Sequence, residues 1–261
     1  MAFELTKELT DEIKMLIAEE QEKQLAELYD DLHFADLAEI LDELSVDEAT
    51  YLVKILDAEK TSDALMELEE DFREGIFKKL SAKEIAEELD ELDTDDAADV
   101  INNLPQERVE NIIAEMEDED HAENVVELLR YDDDTAGGLM AKELVKANEN
   151  WTVTQCLDEI RLQAKKITRV HSIYVVDNND RLKGRLSLKN LMVAPSKHNI
   201  SQIYIPKVDS VVVTEEAEEV ARIMQKYDLE AIPVVDEINR LLGRITIDDI
   251  VDFIKDEAEK D

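Results

Sequence analysis

The sequence lacks most of what marks a secreted, membrane-spanning or nucleic-acid-binding chain. Among 261 residues there is one cysteine, Cys156. That excludes an internal disulfide and a thiolate zinc framework. In "TVTQCLDEI" this thiol reads as a buried, inert helix residue. The four histidines (His33, His121, His171 and His198) are scattered, with no HxxxH spacing for a metal. No apolar run approaches the ~20 residues that a membrane span needs. No signal peptide is visible, so the expectation is a soluble, cytosolic chain. Cations are also scarce: 29 Lys and Arg stand against 67 Asp and Glu, a formal net charge of −38. Such a chain has no basic footprint for phosphate, which excludes nucleic acid as a partner. It also excludes docking on anionic lipid through this surface.

What is present is unevenly placed. Residues 1–134 hold 45 acids and 11 bases, whereas residues 135–261 hold 22 and 18. The first part is therefore a polyanion of net −34 and the second nearly neutral at −4. From Leu5 to Tyr131 there is one glycine, Gly75, and one proline, Pro105. Apolar residues recur there at helical spacing, as in "LYDDLHFADLAEILDEL". "DLAEILDELSVDEATYLVKIL" (36–56) repeats as "EIAEELDELDTDDAADVINNL" (84–104), an offset of 48 residues. Leu41, Leu44 and Ala49 fall on Leu89, Leu92 and Ala97, and Asp47 falls on Asp95. A period of this size suits a stack of short helices whose units bury their apolar faces against neighbours. The breaks at Ser45, Asp93 and Pro105 leave no heptad pattern for a coiled coil.

At "YDDDTAGGLM" (131–140) the character changes, and strand patterns follow in "HSIYVV", "RLKGRLSL", "AIPVV" and "RLLGRITI". "YVVDNNDRLKGRLSLKNLMV" (174–193) repeats as "PVVDEINRLLGRITIDDIVD" (233–252), an offset of 59. Thr152 opens a capping box, T-x-x-Q, and Thr214 is placed to cap a helix with Glu215 and Glu216 in its first turn. This duplicated pattern over residues 138–255 resembles a pair of CBS domains. An acidic helical repeat, then "YDDDTAGGLM", then two such units resembles the cytosolic portion of MgtE-type magnesium transporters. The resemblance implies an all-α helical-repeat superhelix followed by a tandem pair of β-α-β-β-α units, an α plus α/β fold. The expected boundaries are 1–134 for the helical domain, 135–200 and 201–254 for the CBS domains, and 255–261 for the start of a connecting helix. The resemblance further implies a homodimer through the CBS domains and a transmembrane pore domain C-terminal to residue 261. Its place would be the cytoplasmic side of the cell membrane.

The stretch "ELDTDD" opens a segment with five carboxylates in nine residues (91–99) and no base. Asp93 or Thr94 caps a helix and puts Asp95 and Asp96 in its first turn, where the helix dipole favours anions. Asp99 lies four residues after Asp95 on the same face. At ~6 Å their repulsion is about 0.7 kcal/mol in water and about 3 kcal/mol at an effective dielectric near 20. A hard divalent cation such as Mg2+ would bridge that face to another acidic surface with one or two carboxylates from each side. A solvated acidic face is the plainer alternative. On the resemblance, Asp95 and Asp99 together with Asp249 form a cation clamp between helical and CBS domains. Asp63, Glu216, Asp228, Asp252 and Glu257 match further family acids. A nucleotide reading competes for Asp249. "GRITIDD" (Gly243, Thr246, Asp249) and "GRLSLKN" (Gly184, Ser187, Asn190) both fit the G-x-x-[ST]-x-x-[ND] pattern of CBS sites for ATP or another adenine nucleotide. A third reading is an acidic scaffold for a basic partner. No nucleophile sits beside a base and no Walker loop or HExxH occurs, so the sequence does not read as an enzyme.

Overall fold

Among the described residues, ten short helices make up the polyanionic part. The computed structural model describes residues 3–29, 32–167 and 169–260. The helices are α1 (Lys7–Ala18), α2 (Glu22–Tyr29), α3 (Phe34–Asp42), α4 (Val46–Ile55), α5 (Ala58–Met66), α6 (Glu70–Phe77), α7 (Ala82–Leu89), α8 (Thr94–Asn102), α9 (Gln106–Glu115) and α10 (Glu119–Leu128). Scarce glycine and proline leave the breaks to side-chain caps. Ser45 and Ser81 each accept from the third residue of the following helix while Glu48 and Glu84 reach back to the cap N–H. The odd-numbered helices α3, α5, α7 and α9 begin at Phe34, Ala58, Ala82 and Gln106, 24 residues apart each time. They pack in succession, α3 on α5, α5 on α7 and α7 on α9. The structural unit is therefore a 24-residue helix pair, and the 48-residue offset in the sequence spans two of them. The mapped positions Leu41, Leu44, Ala49, Leu89, Leu92 and Ala97 are all buried. A carboxyl, Glu88, is buried with this core. Both oxygens of Glu88 on α7 lie 2.8 Å from the Thr61 hydroxyl on α5. Burial pushes the Glu88 carboxyl up to about 8.

The second part contains two copies of one sheet motif. In the first, β1 (Val145–Asn148) runs parallel to β2 (Ile173–Val176), which runs antiparallel to β3 (Leu182–Leu186). In the second, β4 (Val211–Val212) is parallel to β5 (Ala231–Val235), which is antiparallel to β6 (Leu241–Thr246). Each copy carries two helices, α11 (Val153–Gln163) and α12 (Leu188–Val193), then α13 (Ala217–Tyr227) and α14 (Ile247–Lys260). A register shift falls at Val175/Val176 and again at Val234/Val235, the same repeat position. The turn after "VVD" is made alike in both copies. Asp177 accepts from the Asn179 and Arg181 N–H groups, and Asp236 from those of Ile238 and Arg240. Asp180 and Asn239 take the positive φ each turn needs. The Thr152 capping box is present. Thr214 does not cap: α13 begins later, with Glu216 at its N-cap and Glu218 and Glu219 in its first turn. Cys156 sits in the core of the first copy, and burial pushes its thiol up to about 11.

The two copies exchange their leading segments. Residues ahead of the first copy lie along the second: Ala136 N–H donates to Glu215 O, Gly137 N–H to Val213 O, and Ala141 and Arg244 exchange bonds of 2.8 and 2.9 Å. Residues ahead of the second copy lie along the first, where Arg185 and Ile205 exchange bonds of 3.0 and 2.8 Å. Gly243 allows this approach, because a Cβ there would stand 2.6 Å from the Ala141 carbonyl oxygen.

By contact the chain forms two compact units, Met1–Leu92 with Asp99–Glu123, and Asp93–Ala98 with Asn124–Asp261. The first turns of α8 thus belong to the second unit. Among the described residues no helix is long and apolar enough to cross a membrane.

Candidate metal centre

The head of α8 is held by groups that follow "AGGLM". Thr94 is fully buried. Its N–H and hydroxyl both donate to the Glu143 carboxylate, at 3.1 and 2.8 Å, and its hydroxyl accepts from the Lys142 N–H at 2.8 Å. Glu143 therefore does at this helix start what a capping side chain does elsewhere. Arg244, from β6, is 6% exposed. Its Nε–H donates to the Glu143 carbonyl at 2.6 Å and a terminal N–H donates to the Asp93 carboxylate at 2.8 Å.

These contacts gather acids. Asp93, Asp95 and Glu143 each offer a carboxylate oxygen, and the three oxygens lie within 4.8 Å of one another. Asp95 is 8% exposed. Burial, and then the charges of Asp96, Asp249, Asp93 and Glu143, push its carboxyl well above the usual range. Asp249 stands at the start of α14, where it accepts from the Thr246 N–H at 2.7 Å and so caps its own helix. Burial raises Asp249 too, against the Thr246 bonds and the Arg244 charge, which hold it down. The donor set fits a hard divalent cation. It is all oxygen and anionic, and the Arg244 guanidinium is paired to it. Asp93, Asp95 and Glu143 would hold such an ion, with Asp249 near enough to act on Asp95 through its charge.

Of the residues that the sequence singled out, the structure brings Asp95 and Asp249 together and adds Asp93 and Glu143. Asp99 is exposed on the part of α8 that belongs to the first unit, and Asp63 is exposed on α5. Glu216 is the exposed N-cap of α13, and its side chain makes no capping bond. Asp228 is the left-handed C-cap of the same helix, at φ 52°. Asp252 is exposed and pairs with Lys255 at 2.7 Å. The Glu257 side chain lies outside the described residues. Gly243 and Thr246 have structural work, the first against Ala141 and the second through its N–H, which donates to Asp249. Ser187 caps α12 by accepting from the Asn190 N–H at 3.1 Å. Glu143 was missed because it lies 48 residues from Asp95, outside either repeat. The one signal was its place three residues after the "AGGLM" break.

A helical-repeat unit leading into two exchanged β-α-β-β-α copies defines a CBS-pair protein with an appended helical domain. The family profiles agree: the MgtE intracellular N domain matches residues 32–134, and the CBS domain matches 136–197 and 200–256. The chain belongs to the MgtE family. It is 44% identical over 137 residues to the magnesium transporter MgtE of Thermus thermophilus, covering 52% of this chain and 30% of that protein. Two solved structures match nearly the whole chain. One is the soluble part of a magnesium transporter, 30% identical, with TM-score 0.82 over 97% of this chain and 99% of the other. The second is the cytosolic domain of the Mg2+ channel MgtE in complex with ATP, 34% identical, with TM-score 0.84 over 94% and 100%. The chain spans about a third to about half the length of the curated relatives it matches.

Proposed function

We propose that this chain is the Mg2+-sensing cytosolic part of a magnesium transporter, and that its carboxylate centre reports the ion to a pore carried by the same protein. The observation that carries this reading is Asp95, a buried carboxyl ringed by Asp93, Glu143, Asp96 and Asp249. Gathering those charges without a cation is unfavourable. An ion held by Asp93, Asp95 and Glu143 favours the gathered arrangement and shifts the population toward it. On this reading the helical domain closes on the CBS pair when Mg2+ is plentiful, α14 relays closure, and the pore shuts. The result is negative feedback on magnesium entry. Asp99, Asp63, Glu216, Asp228, Asp252 and Glu257 are proposed as weaker peripheral ligands. The partner is a second copy of the chain, met through the CBS domains. Met192 and Val193 on α12, 71% and 76% exposed, and Ile254 on α14, 52% exposed, favour that contact.

The test is a Mg2+ titration of thermal unfolding at constant ionic strength, comparing the chain with D95N. Ligand binding raises the melting temperature as free Mg2+ passes its Kd. D95N is expected to melt higher than the parent in EDTA, because repulsion is relieved, and to lose most of the Mg2+-induced rise. Retention of the full rise in D95N would remove this centre from the reading.

A second reading, an adenine-nucleotide sensor, is favoured by the similar structure that holds ATP. Calorimetry with ATP and AMP in EDTA separates the two, since a nucleotide sensor gives heat without free metal.

A further inference from the structure

The sheet repeat places an arginine at the same position in each copy, Arg185 in "GRLSL" and Arg244 in "GRITI". Their surroundings differ. Arg185 is exposed, whereas Arg244 is 6% exposed. Arg244 is fixed at both ends. Its backbone exchanges bonds of 2.8 and 2.9 Å with Ala141, and Gly243 permits that approach. Its guanidinium spans from the Glu143 carbonyl to the Asp93 carboxylate, at 2.6 and 2.8 Å. A guanidinium keeps its proton throughout the accessible pH range and offers donors in two directions at fixed angles, so it can bridge these acceptors where lysine would reach one. The first copy leaves its arginine exposed. The copy beside Asp93 and Glu143 buries it.

We propose that Arg244 is the resident counter-cation of the carboxylate centre and sets its affinity for metal. The inference rests on the Mg2+-sensing reading above. Five acids meet there, Asp93, Asp95, Asp96, Glu143 and Asp249, with Arg244, which pairs with Asp93 and whose charge also acts on Asp249. Arg244 has two opposed effects. Without metal it keeps the acidic head of α8 seated, so that the site is preformed. With metal it occupies the Asp93 carboxylate and repels the incoming dication, so that binding is weaker than the acids alone would give. The threshold at which the centre fills is thereby moved to higher Mg2+. Asp47, at the repeat position equivalent to Asp95, shows the simpler arrangement: it is exposed and pairs with Lys79 at 2.8 Å.

The experiment is calorimetric titration of the chain with MgCl2, with melting in EDTA, for the parent, D95N, R244Q and R244K. R244Q is expected to melt lower in EDTA and to bind Mg2+ about tenfold more tightly, within the range of ordinary site-to-site coupling. R244K keeps the charge without the fork, so it should melt lower while its Mg2+ affinity stays near the parent's. Equal or weaker Mg2+ binding by R244Q overturns the proposal while leaving the sensing reading intact. No Mg2+ heat in the parent, or unchanged heat in D95N, defeats the sensing reading itself. If R244Q is unfolded in EDTA, excess MgCl2 should restore its circular dichroism. Failure of that rescue, in R244Q and in R244M with its retained stem, overturns the proposal.

Discussion

Glu88 and Asp95 are carboxyls of similar burial with different partners. Glu88 has the Thr61 hydroxyl, and its burial outweighs the smaller push from the charges of Glu87 and Glu91. Its folded pKa of about 8 lies above the ordinary 4.5, so the native state holds that proton more firmly than the unfolded chain does. Its contribution to stability is full below about pH 4.5 and is lost as pH rises toward 8. E88Q is therefore expected to flatten the fall in stability between about pH 5 and 8, by up to a few kcal/mol at the alkaline end. Urea melts across that range measure it, and an unchanged slope would place the titration elsewhere. Asp95 differs because carboxylate oxygens of Asp93 and Glu143 lie within 4.8 Å of its own. The repeat alignment pairs Asp95 with Asp47, which is an ordinary exposed acid. Burial, which separates the two, is not a property of the local sequence.

Elements were legible where the pattern was long or the cap explicit. The capped helices and the strands β2, β3, β5 and β6 follow from periodicity and from the "VVD" turn. The strands β1 and β4 were not identified, because four and two residues are too few to display alternation. The 24-residue helix pair was hidden because α5 and α6 keep the apolar spacing of their neighbours without their letters. The start of α13 moved because Glu216, not Thr214, takes the extended N-cap backbone. Gly243 also changes meaning at this scale. In the sequence it belongs to a nucleotide pattern, while in the fold it lets the segment before the first copy pair with β6. G243A would place its Cβ 2.6 Å from the Ala141 oxygen and 2.9 Å from Met140 Sδ. The expected cost is about 1–3 kcal/mol of stability, read by denaturant melts. Wild-type stability would show that the exchanged segment yields without loss.

For the molecule as a whole, charge sets the expected behaviour. A formal charge of −38, of which −34 falls in residues 1–134, opposes compaction through a self-repulsion that cations relieve. The radius of gyration of the chain, measured by small-angle scattering at constant ionic strength, is expected to fall as Mg2+ is added and to change little with the same ionic strength of Na+. A radius that does not respond would leave the acids as a solvated surface. D95N with D99N should blunt the response if these residues take part.

The sequence by itself determined the two repeats, the change of character near residue 134, the excess of acid and the family. Each is a matter of composition or spacing along the chain, which a linear reading can count. Only the tertiary structure decided which acids meet. Asp93, Asp95 and Glu143 come together because the segment after "AGGLM" leaves its own copy to pair with β6. That exchange brings Glu143 to the head of α8 and Arg244 between them, a proximity made by chain crossing, which no local pattern encodes.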